Sequence, residues 1–189
     1  MLDAASQRKL IILSAPSGTG KTTIAKKIVS TREDVFFSVS TTTRMPRKGE
    51  VEGVHYYFVK EGEFKDKIER GEFLEWARVF NNFYGTTRLE VERIITSGKY
   101  CLLDIDVQGA LQIREQYPGC KAVFILPPSL QVLEKRLQER GDTDAEQMSL
   151  RLAKSKEELS FINYYDYYIV NDSLEDATRK VIAVLDPRG

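Results

Sequence analysis

Cysteine and histidine are almost missing from this chain: Cys101 and Cys120 are its two cysteines and His55 its one histidine. So few thiols exclude a disulfide scaffold and a cysteine-rich metal centre, and they suit a reducing compartment. Both read as small buried hydrophobes. The histidine, beside Tyr56 in a strand-like run, reads as structural and not as a catalytic base. Net charge is missing too, because 28 Lys and Arg balance 28 Asp and Glu. No global field therefore draws the protein to nucleic acid or an anionic membrane, and any basic site must be local. Long apolar runs are absent; residues 122–128 fall well short of a membrane span, and residues 1–9 lack the apolar core of a secretory leader. No repeat or low-complexity tract occurs. A soluble, cytoplasmic protein with neither nucleic-acid nor membrane partner is expected, and its oligomeric state is left open.

The 189 residues suit one compact domain carrying small insertions. Short apolar runs alternate with amphipathic stretches, as when parallel strands are linked by crossover helices. Core strands are expected at 9–14, 36–40, 100–105, 122–126 and 167–170. Thr87 with Glu90, and Thr143 with Glu146, have the spacing of capping boxes. Leu174, Ala177, Val181 and Leu185 share one face of a last helix, and Leu130, Leu133 and Leu137 share one face of a helix over 129–140. Two stretches break the alternation. Residues 41–84, with strand-like pieces at 55–59 and 73–80 around a helical 62–70, look like an inserted substrate domain. Residues 140–156 are densely charged and look like a mobile lid. The core is then 1–40, 85–139 and 157–189.

The first strand runs into Ala15-Pro16-Ser17-Gly18-Thr19-Gly20-Lys21-Thr22, followed by a helical pattern. This is a P-loop arrangement, in which backbone N–H groups curl around phosphate oxygens and Lys21 reaches the terminal phosphates. Thr22 would offer its hydroxyl to magnesium. Ala15 replaces the motif's first glycine, which requires that this position not need positive φ. Asp104 ends an apolar strand in the manner of a Walker-B carboxylate, with Asp106 two residues on. Aspartates at strand ends are also ordinary turn residues, and it is the P-loop that favours the metal-site reading.

Arg44 and Arg47, near Tyr56 and Tyr57, suit a doubly charged phosphate monoester, although charged loops are common on surfaces. At this point the chain resembles the guanylate kinases. Thr42, Thr43, Arg44, Arg47, Glu50, Gly53, Tyr56 and Phe58 match that family's signature. The match continues through Ser14 to Lys21, Phe37 to Ser40, Phe73 to Ala77, Tyr84 to Thr86, Leu103 to Gly109, Arg136 to Gly141 and Val170 to Asp172. The resemblance implies an α/β P-loop three-layer fold with a parallel sheet core, an inserted GMP-binding subdomain and a mobile lid. It implies transfer of the γ-phosphate of ATP to GMP, and by extension dGMP, with Mg2+.

Residue by residue, it implies that Arg44, Arg47, Tyr56 and Tyr84 hold the GMP phosphate, and that Ser40, Glu75 and Thr86 surround guanine. Glu50, Gly85, Asp104 and Asp106 complete the acceptor site. Residues Ala15 to Thr23, with Arg136, Asn171 and Asp172, are implied at ATP, and Thr22 and Asp104 at the metal. Lys21, Arg44, Arg47, Arg140 and Arg151 would carry the transfer itself. A carboxylate such as Glu75 can accept guanine N1–H and N2–H₂ together, a donor pair that adenine lacks. Glu75 could instead be the outward residue of a half-buried strand, Trp76 is expected in the core, and the arginines could be surface ion pairs. Two other functions stay open: a P-loop kinase for a different acceptor, and a guanylate-kinase-like phosphoprotein-binding module without activity.

Overall fold

A computed structural model describes residues 2–79, 81–138 and 145–185 of the chain. The core is a five-stranded parallel sheet of β1 (Leu10–Ser14), β2 (Val35–Phe37), β7 (Tyr100–Asp104), β8 (Lys121–Leu126) and β9 (Tyr167–Val170), in the order β2-β7-β1-β8-β9. All five residues of β1 are buried because the strand is covered on both faces. Leu10 and Ile12 face one apolar cluster, formed with helices α4 (Arg88–Thr96) and α5 (Val107–Gln116) through Val91, Ile94, Ala110 and Ile113. Ile11 and Leu13 face the other, formed with α2 (Lys21–Thr31) and α8 (Leu174–Leu185) through Ile24, Ile28, Ala177 and Val181. This is the expected three-layer α/β core. Cys101 and Cys120 are free and buried. Among the described residues no helix is long and apolar enough to cross a membrane.

The second sheet has the order β4-β3-β6-β5, from β3 (Thr41–Thr42), β4 (Tyr57–Phe58), β5 (Phe73–Val79) and β6 (Asn82–Thr87). Helix α3 (Glu61–Glu69) packs on it, with Phe64 stacked against Phe73 and Phe83. A short α1 (Ala4–Gln7) precedes β1, and two further helices, α6 (Leu130–Gln138) and α7 (Ala145–Leu159), precede β9.

Several local expectations are corrected. The strand-like piece at 55–59 shrinks to β4, and the run at 36–40 becomes β2, ending at Phe37. Thr87 does cap α4 by accepting from Glu90 N, but the reciprocal half of the capping box is not made. Glu90 instead pairs with Arg93 and accepts from Val39 N, where the chain passes between the sheets. Leu130 is 43% exposed in the first turn of α6, whereas Leu133 and Leu137 are fully buried. Trp76 is 37% exposed and lies against Phe83 instead of entering the core. Its neighbour Glu75 is the buried one. The pairing of β5 with β6 shifts register between Phe73 and Glu75, and this bulge reverses the inward and outward sense of the strand beyond it. Thr143, the first residue of the other expected capping box, lies outside the described residues.

Ile12→Ala opens a cavity at the centre of the sheet, for which a loss of about 2–5 kcal/mol is expected. Leu130→Ala should cost under about 1 kcal/mol, as for a surface position. Urea unfolding of the two variants at constant m-value checks the contrast.

Candidate active site

The cradle is built where β1 ends. Gly18 and Gly20 have φ of 89° and 91°, which an L side chain adopts only under strain. A Cβ on Gly20 would also lie 2.6 Å from Asn171 Nδ2. Gly20 caps α2 without a side-chain acceptor, so the first turn keeps its N–H groups directed toward an anion. Ala15 is buried in the apolar cluster behind the loop. Lys21 Nζ lies 2.5 Å from Asp104 Oδ1 and donates to the Ile105 carbonyl at 2.7 Å. Thr22 Oγ1 donates to Asp104 Oδ2 at 2.7 Å. Asp104 stands opposite Leu13 in the β1–β7 register, so the two neighbouring strand ends bring the loop and the carboxylate together.

Asn171 and Arg136 reinforce the loop from behind. Asn171 Nδ2 donates to Thr19 O at 2.6 Å, and Arg136 donates to Thr19 O and Asn171 O at 3.4 and 3.3 Å. Both side chains hold P-loop backbone and neither lines the cavity in front of it. Asp172 is exposed and also lies off that cavity.

The cavity has a volume of about 330 Å³ and joins the P-loop, including Thr23, to Ser40, Tyr56, Glu75, Tyr84, Gly85, Asp104 and Asp106. Tyr56 and Tyr84 meet edge to face at 6.0 Å. Burial raises the Tyr56 phenol pKa, and the nearby charge of Asp104 adds to the shift, which ties the tyrosine pair electrostatically to the cradle. Arg44 stands behind the tyrosines, 5.4 Å from the Tyr56 ring and 5.9 Å from that of Phe58. Its Nη2 donates to both oxygens of Glu50, at 2.8 and 2.9 Å. Those hydrogen bonds hold the Glu50 carboxyl below its usual range. Glu50 thus fixes Arg44 and also accepts from Arg47 N. The Arg47 side chain is exposed and does not line the cavity.

Glu75 is 3% exposed, and burial pushes its carboxyl up to about 7, with Asp106 adding to the effect and Thr86 and Lys21 opposing it. Thr86 Oγ1 is buried beside it, short of a well-formed hydrogen bond. Asp106 caps α5 by accepting from Gly109 N at 3.0 Å. The outward alternative for Glu75 is therefore overturned by the bulge. His55 Nδ1 accepts from Val51 N within its loop, a structural role.

Helix α7 supplies Arg151 to the cavity, together with three residues that the sequence analysis missed: Lys154, Ser155 and Glu158. Their spacing from Arg151, at i+3, i+4 and i+7, is the signal of one helix face. Glu158 is pushed up to about 7 by burial, with Lys154 opposing the shift. Arg140 lies outside the described residues.

Comparison with known proteins places the chain in a family. A guanylate kinase from Clostridium perfringens is 44% identical over 176 residues, covering 93% of this chain and 82% of that protein. A guanylate kinase from Idiomarina loihiensis is 48% identical over 170 residues, covering 89% and 81%. Among solved structures, the guanylate kinase of Anaplasma phagocytophilum superposes with a TM-score of 0.78 at 37% identity, covering 94% of this chain and 84% of that one. The family model for guanylate kinase matches residues 7–187, and with relatives of this identity along most of its length the chain belongs to the guanylate kinase family.

Proposed function

We propose the following geometry for the reaction of this guanylate kinase, the ATP-dependent phosphorylation of GMP. One observation carries it: a buried carboxylate, Glu75, and the cationic phosphate cradle line the same cavity. ATP lies along residues 15–23, with its terminal phosphates at Lys21. Arg44, steadied by Glu50, and the hydroxyls of Tyr56 and Tyr84 face the GMP phosphate. Arg47 reaches it when the insertion, residues 41–84, folds inward. Ser40, Thr86 and Gly85 surround guanine, whose two adjacent donors meet Glu75. Arg136, Asn171 and Asp172 border the ATP side, the first two by holding the loop. Asp106 borders the acceptor side through its position at the start of α5.

A GMP phosphate oxygen attacks the γ-phosphorus in line. The new O–P bond forms as the bond to the β–γ bridging oxygen breaks, and that oxygen leaves with ADP. Such a transfer asks the protein mainly for positioning and charge stabilisation, so it needs neither a covalent nucleophile nor a histidine. Lys21, Arg44 and Arg151 supply fixed positive charge, and Arg140 joins them from the lid, residues 140–156. Thr22 and Asp104 suit magnesium: the hydroxyl and carboxylate already meet at 2.7 Å and are hard oxygen donors. The ion would neutralise phosphate charge when bound. Closure of insertion and lid excludes water, the competing acceptor.

The inactive binding-module alternative is not favoured, because the curated relatives are guanylate kinases and Lys21, Thr22 and Asp104 are all retained, with Asp104 in contact with the other two. Lys21→Met should lower kcat by about 10³-fold while leaving the fold intact, checked by a coupled assay for ADP and GDP alongside circular dichroism. AMP should be phosphorylated with a kcat/KM at least about 10⁴-fold below that of GMP.

Glu75 gives a prediction with a definite sign. The ionised form accepts from guanine, so kcat/KM for GMP should fall about tenfold per pH unit as pH drops below about 7 and level off above it. In the folded chain this carboxyl binds its proton more tightly than in the unfolded chain. Its contribution to stability is thus full below about pH 4.5 and declines as pH rises to about 7. Glu75→Gln should therefore remove the acid limb of the GMP profile and lower kcat/KM about 10- to 100-fold. The same variant should be more thermostable than the parent at pH 8, a gain that vanishes toward pH 4.5 in calorimetric scans.

A further inference from the structure

Glu75 sits on an edge strand. β5 is the outermost strand of its sheet, paired with β6 alone, and the register slips between Phe73 and Glu75 just where the carboxylate must be aimed. An edge strand leaves backbone N–H and C=O groups open, and a bulge permits more than one register. A slip of one residue would turn Glu75 out of the cavity and Trp76 into it. Something must hold this backbone.

Two glutamines of α5 do so. Gln112 Nε2 donates to Trp76 O at 2.7 Å, while Gln112 Oε1 accepts from Trp76 N at 3.2 Å. This reciprocal pair gives Trp76 the bonds that a further strand would have made. Gln116 Nε2 donates to Leu74 O at 3.0 Å and to Gln112 O at 3.1 Å. The peptide groups on both sides of Glu75 are thereby tied to one helix. Leu74, whose carbonyl takes one of these bonds, has its own side chain buried in the main core cluster.

The same helix face also makes room for the carboxylate. Gly109, three residues before Gln112, lies so close to Glu75 that a Cβ there would fall 2.3 Å from Oε2 and 2.9 Å from Cδ. Positions 109, 112 and 116 are spaced by three and four residues, so they share one face of α5. Asp106 fixes the start of that helix through Gly109 N.

We propose that Gln112 and Gln116, on the helix face cleared by Gly109, are positioning residues that hold Glu75 in the orientation that reads the guanine edge. The proposal rests on the assignment of Glu75 to guanine. Neither glutamine lines the cavity, so each acts through the strand and not by touching the nucleotide.

Steady-state kinetics of Gln112→Ala, Gln116→Ala and Gly109→Ala, with GMP and with inosine monophosphate, test it. Inosine monophosphate lacks the 2-amino donor that the carboxylate accepts. Each glutamine variant should raise KM for GMP about tenfold and shrink the preference for GMP over inosine monophosphate, leaving KM for ATP unchanged and kcat within about twofold. Gly109→Ala should do the same more severely, because its methyl group displaces the carboxylate directly. Placed on a Glu75→Gln background, the glutamine substitutions should add little further rise in KM for GMP. A lowered Tm with KM and base preference retained would overturn the proposal, leaving the glutamines as docking bonds alone. Full additivity with Glu75→Gln would overturn it as well. Glu75→Gln with undiminished preference for GMP is a different failure, one that removes the guanine assignment itself.

Discussion

The ammonium group of Lys21 is the fixed point of the site. Asp104 and the Ile105 carbonyl grip it at the carboxyl ends of the sheet, in a place defined by the pairing of β1 with β7. That pairing is as rigid as anything in the molecule, since β1 is buried throughout and apolar clusters cover both of its faces. On the proposed reading, phosphate would take over from Asp104 as partner of this ammonium, which the two strand ends already hold at the mouth of the cradle. The P-loop itself is less well protected, being a turn with two left-handed glycines. Asn171 and Arg136 make good that weakness by bonding to Thr19 O from behind. Residues far apart in the chain thus converge to steady one peptide group.

The base-reading end follows a different logic. A carboxylate taken out of water resists ionisation, and Glu75 is held near the point where both forms are populated at neutral pH. On the proposed reading, guanine would bring the missing donors, so that the nucleotide that fits also stabilises the charge. Adenine would leave that charge buried without them, which would turn a destabilising group into a selective one. On the same reading, the acceptor phosphate would meet the opposite arrangement: Arg44 is already paired with Glu50 and lies over the Tyr56 ring, and it would keep its charge whatever is bound.

The core was readable because strands buried on both faces give unbroken apolar runs, and residues 122–126 fall within β8, whose middle four residues are all buried. The P-loop was readable because its glycines and lysine have no other common use in that setting. What escaped lay in long-range geometry. The bulge that buries Glu75 and exposes Trp76 depends on the pairing partner β6, which alternation within β5 cannot reveal. Glu90 looked like half of a capping box, yet its carboxylate serves Arg93 and Val39, a partner 51 residues away in the chain. Arg136 and Asn171 are expected at ATP on the family resemblance, but only the fold shows that they grip the loop. Glu158 and Lys154 were hidden in a charged stretch whose helical phase becomes meaningful once one face is seen to line the cavity.

The seam between α5 and β5 also constrains how the enzyme can close. The insertion joins the core where the chain passes from β2 to β3 and from β6 to α4. Arg88 strengthens the second crossing, donating to Gly71 O on the insertion and to Tyr117 and Gln116 on the core. With β5 bonded to α5 through Gln112 and Gln116, the insertion cannot slide as a free body without breaking that set. In the proposed closure, a rotation about the seam would spare the bonds that lie on it, and it would divide the acceptor site by distance from the axis. Glu75, on the axis, would stay nearly in place, while β3, β4 and Arg44, across the sheet from β5, would sweep through the larger arc. Base recognition would then be set before closure and phosphate clamping completed by it, so that a wrong base is met by the rigid half of the site before the mobile half commits.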